Sequence, residues 1–162
     1  AAPDTFRTEH GRTVRGGGGI VPDILMGDST LSPAEEALEE ALGTRAIEFR
    51  DAMVDVAIAQ RTRGTIRDHD FAITRPMLDA LWSAMRARRF RFDRAIYDGA
   101  TPLVSRLLAR EIARYVFGPQ GEADRSIRDD SVIQAAVRLA ADAPSPSALL
   151  ARVRADTVPP GR

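Results

Sequence analysis

The chain has no lysine: all 23 of its basic residues are arginine. A guanidinium stays protonated under any condition a protein meets, so general-base or Schiff-base chemistry through a side-chain amine is excluded. It has no cysteine either. That rules out disulfides, thiolate nucleophiles and thiolate metal sites, and it suits a cytoplasmic or an exported protein equally. Acidic and basic residues balance at 23 each, and the zero net charge leaves no global field to recruit nucleic acid or anionic lipid. No apolar run approaches the ~20 residues a membrane helix needs. The opening Ala1-Ala2-Pro3 has neither a basic region nor an apolar core, so no signal peptide is expected there. What remains is a 162-residue chain, 44% apolar, of a length for one domain with a real core.

The most specific stretch is residues 6–24, FRTEHGRTVRGGGGIVPDI. Phe6-Arg7-Thr8 and Thr13-Val14-Arg15 read as two short strands, rich in β-branched and aromatic side chains. Between them Gly11 supplies the positive φ that a tight hairpin turn requires. Gly16 to Gly19 then permit close backbone approach, and Pro22 biases Val21 towards an extended geometry. A flexible linker is a weaker reading, because linkers are rarely flanked by hairpin chemistry. A phosphate-cradling loop fails, because no Gly-Lys-Ser/Thr follows and no helix opens directly after the glycines.

The pattern carried by Phe6, Thr8, Gly11, Arg12, Val14, Gly16 to Gly19, Ile20, Pro22 and Asp23 resembles the closing segment of the peptidase domain in C-terminal processing (tail-specific) serine peptidases. The later helices are similar to the helical tail of some members, at Ile112-Ala113, Phe117-Gly118 and Asp130-x-x-Ile133-x-x-Ala136. The resemblance implies a parent enzyme that hydrolyses peptide bonds near protein C-termini and acts in the periplasm or elsewhere outside the cytoplasm. That family uses a serine nucleophile with a lysine base, both upstream of the matching segment. The absent lysine agrees: this chain is expected to be inactive alone, with no catalytic, cofactor-binding or metal residues of its own. Its expected partners are the remainder of its peptidase domain, a polypeptide substrate and a second copy in a homodimer. Neither nucleic acid nor a membrane span is expected.

Beyond the hairpin the patterning is helical. Ser32-Pro33-Ala34-Glu35 announces a helix to Leu42 burying Leu38, Ala41 and Leu42. Thr44 is expected to cap a helix over residues 45–63, apolar on two stripes: Ile47, Val54 and Ile58, then Phe49, Met53, Val56 and Ala57. Thr74 and Pro76 start a third, with Leu78, Leu81, Trp82 and Met85 on one face. Asp93 caps a long one to about Phe117, kinked or split at Pro102 with Thr101 as a candidate new cap, and ended by Gly118-Pro119. Asp129 or Asp130 opens a further helix carrying Val132, Ile133, Ala136, Val137 and Ala140, and Ser145-Pro146 a last short one. The expected fold is mostly α: a bundle of about five to six helices behind a β-hairpin. The hairpin segment would span residues 1–31, the helical domain 32–155 and a frayed tail 156–162.

Two clusters invite chemistry. Asp68-His69-Asp70 could bind a metal or tune an imidazole, with His10 as the other candidate ligand, but sequence neighbours point apart and a solvated loop is the simpler reading. No glycine-flanked serine of the nucleophile-elbow kind exists. Arg86, Arg88, Arg89, Arg91 and Arg94, interleaved with Phe90 and Phe92, resemble a basic patch with stacking platforms for single-stranded nucleic acid. This supports an alternative reading, a free-standing helical interaction module. The opposing expectation is that the phenylalanines pack inward on a solvated helix end.

Overall fold

Serine, proline and glutamate at the start of the first helix do what their chemistry dictates. In the computed structural model, which describes residues 5–7, 13–16, 31–149 and 151, α1 (Pro33–Leu42) opens with a full capping box. The Ser32 hydroxyl accepts from the Glu35 amide, and the Glu35 carboxylate accepts from the Ser32 amide at 2.9 Å. Leu38 is buried, Ala41 and Leu42 half-buried.

The chain divides into two compact units: residues 28–139, and residues 1–27 with 140–162. The first holds a mostly α bundle, as the patterning predicts. Its centre is α2 (Ala46–Arg63), which packs against both α3 (Arg75–Ala87) and α5 (Thr101–Asp129). Phe49, Ala52, Met53, Val56, Ala57 and Gln60 form its one buried arc, at i, i+3, i+4, i+7, i+8 and i+11. The second expected stripe is not core: Ile47 is 77% and Ile58 48% exposed. Ala52 and Ala57, wholly buried, let two neighbours share the same arc, so no second face is needed. Arg45, not Thr44, is the N-cap of α2. Gly64 ends the helix in the left-handed conformation, its amide donating to the Arg61 and Gln60 carbonyls.

Helix α3 buries Leu78, Leu81 and Met85, with Thr74 at its N-cap. Helix α4 (Arg94–Gly99) is capped by Asp93, which accepts from the Ala95 amide at 2.9 Å, and it packs against α1 and α5. Tyr97 anchors it: the buried hydroxyl donates to the Leu78 carbonyl at 2.8 Å. The run from Asp93 splits before Pro102, as expected from its missing amide: α4 ends at Gly99 and α5 begins at Thr101. Ala100 is the N-cap there; the Thr101 hydroxyl instead donates back to the Asp98 carbonyl at 2.6 Å.

The helix from Thr101 breaks at Gly118, as expected, and α5 is two helices joined across a kink at that glycine. Its backbone lies at φ 81°, ψ −170°, a conformation essentially restricted to glycine, and helix resumes at Pro119. The segment 119–129 returns beside residues 106–114: Arg114 pairs with Glu122 at 3.8 Å, and Arg106 and Asp129 line one cleft. Gly121 is buried at the bend, with space for a Cβ already taken by Phe117. Helix α6 (Ser131–Ala141) follows, with Asp130 accepting from the Val132 and Ile133 amides. Within residues 140–162, which belong to the other unit, the Ser145 hydroxyl caps a helical turn by accepting from the Ala148 amide at 3.2 Å. No helix among the described residues is long and apolar enough to cross a membrane.

In the other unit, β1 (Thr5–Arg7) and β2 (Thr13–Arg15) pair antiparallel with Phe6 opposite Val14.

Candidate functional site

The second strand of the hairpin is Thr13–Arg15 as expected, the first is Thr5–Arg7, and the described residues of β1 are exposed, Phe6 at 56%. Thr8, Gly11, Arg12, Gly17 to Gly19, Ile20, Pro22 and Asp23 lie outside the described residues, as does His10.

Asp68, His69 and Asp70 sit in the loop between α2 and α3; the Asp68 carboxylate accepts from the Asp70 amide at 2.9 Å, and the other two side chains reach outside the loop. The His69 ring stacks on Phe117 with centroids 4.1 Å apart, and its Nδ1 lies 3.7 Å from the Asp124 carboxylate. Asp70 pairs with Arg128, and Arg125 donates to the Phe71 carbonyl at 2.9 Å while covering the Phe71 ring. The loop is therefore a strap holding segment 119–129. Among the described residues no group of three or more histidine and acidic side chains could hold a metal ion.

Of the five clustered arginines, Arg86, Arg88 and Arg94 are engaged, while Arg89 and Arg91 are exposed. Arg88 reaches the Asp55 carboxylate at 2.6 Å, Arg86 donates to the Phe90 carbonyl, and Arg94 lies between Asp79 and Asp98. The Arg94 hydrogen bond holds the Asp79 carboxyl below its ordinary pKa. Phe90 is buried, and Phe92, half-buried, stands edge-on to Trp82 at 5.7 Å. Arg45 completes the packing: its guanidinium covers Phe90 at 4.0 Å and donates to the Arg88 and Arg89 carbonyls. This pins the turn, where Arg89 holds a positive φ of 62°, to the start of α2.

Two features escaped the sequence reading. Glu111 is buried on the core stripe of α5; Oε1 accepts from Arg50 at 2.7 Å, while Oε2 has no hydrogen-bond partner. Its position three residues after Leu108 and one before Ile112 was the available signal. The other is a cleft of about 450 Å³ at the Gly118 bend, lined by Arg61, Arg114, Tyr115, Val116, Gly118 and Pro119. The end of α2 and the bend of α5 build it, from residues too far apart in sequence to form a motif. A second cleft, near 440 Å³, is lined by Glu35, Arg106, Asp129 and Asp130 among others. There the Glu35 carboxyl is held below its ordinary pKa, first by the Ser32 amide and further by Arg106. No protein-family model, curated protein or solved structure matches the chain.

Proposed function

We propose that this chain is the C-terminal part of a serine peptidase similar to the C-terminal processing enzymes, contributing the last β-hairpin and a helical domain rather than catalytic groups. One observation carries the reading: the ordered run of residues from Phe6 to Asp23. The hairpin geometry supports it. A two-stranded ribbon is marginal in water by itself, and a largely exposed Phe6 on such a ribbon suits a strand pair that completes a larger sheet.

On this reading the intact enzyme cleaves peptide bonds near protein C-termini, outside the cytoplasm. Its serine and its lysine base are supplied by another stretch of polypeptide, since no lysine is present here. The helical domain has a structural, dimerising or substrate-admitting role. Its partners are the remainder of the peptidase domain, the polypeptide substrate and a second copy. The burial of Phe90 and half-burial of Phe92 weigh against the alternative of a nucleic-acid module, because stacking platforms must be accessible.

The test is incubation of the chain with an unfolded protein and mass-spectrometric analysis of the products. No cleavage is expected; turnover that survives repurification would overturn the proposal.

A further inference from the structure

Segment 119–129 of α5 adds almost nothing to the core. Its one buried residue is Gly121, which has no side chain, and the apolar Ile127 faces solvent. A helix that buries no apolar side chain gains little from packing, so polar contacts must hold it. The polar contacts that reach it from the first half of α5 and from the strap involve charged side chains. Glu122 pairs with Arg114 at 3.8 Å, and Asp124 lies 3.7 Å from His69 Nδ1. Arg125 donates to the Phe71 carbonyl at 2.9 Å, and Arg128 pairs with Asp70. Apart from Arg125 these side chains are substantially exposed, where an ion pair is weak and salt screens it.

Neither end of the segment is fixed by packing. Gly118, at φ 81° and ψ −170°, interrupts the helix on one side. On the other side α6 has no buried residue to anchor it. Beneath the segment lie two aromatic rings, Phe71 and Phe117, tilted against each other with centroids 6.3 Å apart. The Arg125 guanidinium covers the Phe71 ring at 5.2 Å, and Gly121 sits against Phe117. A glycine hinge, a polar catch and an apolar surface under cover are thus found together.

We propose that segment 119–129 is a charge-latched lid, which undocks about Gly118 while the rest of the bundle stays folded, bares the Phe71 and Phe117 rings, and opens more as ionic strength rises. The inference goes beyond the peptidase reading and does not rest on it. A helix this short does not persist in water once detached, so undocking and melting are one event that amide exchange reads.

Hydrogen–deuterium exchange of the full chain, read by mass spectrometry of its peptides, tests it. The amides of 119–129 are expected to exchange faster than those of 101–117 and of α2. Raising salt from about 0.1 M to about 1 M shortens the screening length from about 10 Å to about 3 Å. That change should speed 119–129 several-fold and leave the other two as they were. Arg125→Gln is expected to speed the same amides about tenfold. It also removes the Arg125–Asp129 pair inside the lid's own helix. Asp70→Asn separates the two effects, because it lies on the strap and leaves the lid's residues intact. It should still speed 119–129, by up to about fivefold. Near-ultraviolet circular dichroism of Trp82, which packs on Phe92 and Tyr97, checks that each variant keeps the bundle. The inference is overturned if 119–129 exchanges only at the rate of α2, if salt or Asp70→Asn leaves it unchanged, or if either speeds α2 in step with it.

Discussion

Gly118 and Gly121 sit at the same bend, yet substitution should hurt each for a different reason. At Gly118 the backbone is the whole problem: φ is 81° and a Cβ would have open space. Gly118→Ala is expected to cost about 1–3 kcal/mol through strain alone. At Gly121 space is the problem, because a Cβ would stand 2.5 Å from the Phe117 Cβ and 3.1 Å from the Ala113 carbonyl. Gly121→Ala should cost a similar ~1–3 kcal/mol by overpacking, and a smaller side chain at position 117 should not rescue it, because the Cβ at 117 and the Ala113 carbonyl stay in place. Urea unfolding of the variants measures both.

Single titrating groups give a second residue-scale test. Burial pushes the Tyr97 phenol well above its ordinary pKa, so the folded chain keeps a proton that the unfolded chain releases above pH ~10. Its contribution is complete below that pH and is lost as pH rises. With no lysine and no cysteine, phenols are the side chains left to titrate there, so Tyr97→Phe should flatten the alkaline fall in stability. In acid the sign reverses. Asp79 is held down by Arg94, Glu48 by Arg45 and Glu35 by the Ser32 amide. Their stabilisation is full above the ordinary carboxylate range and fades as pH falls through the folded values. Asp79→Asn should shrink that acid limb in a pH series of melting temperatures.

At the scale of elements, start signals were the most legible feature. Ser32, Asp93, Asp130 and Ser145 each cap as their side chains suggest, because a cap is a local bond between a side chain and an amide a few residues away. Asp130→Ala removes two such bonds and should cost about 1 kcal/mol, with the loss of helical ellipticity confined to α6. Segment 119–129 was not legible. Its helix is nearly all polar, with Ile127 exposed at 49%, so there is no apolar period to find. What fixes it is long-range: Arg114 to Glu122, Arg125 to Phe71 and His69 against Asp124. The two-stripe reading of α2 failed for a related reason. Periodicity shows which residues could be buried, while the number of neighbours that share one arc is decided by the small side chains at Ala52 and Ala57.

For the whole molecule, mostly α packing was readable from 3.6-residue periodicity, and the core it predicts closes around Leu81, Leu108 and Ile112, all fully buried. The candidate cleft was not, since Arg61 and Arg114 meet only in the folded bundle. The functional reading rests instead on a run of residues at the front of the chain, whose sense depends on what precedes it. The most direct measurement is the nucleotide sequence of the reading frame upstream of Ala1. A peptidase-like stretch bearing a serine and, further on, a lysine is the expected result. A start codon immediately before Ala1, or an unrelated domain there, would contradict the account.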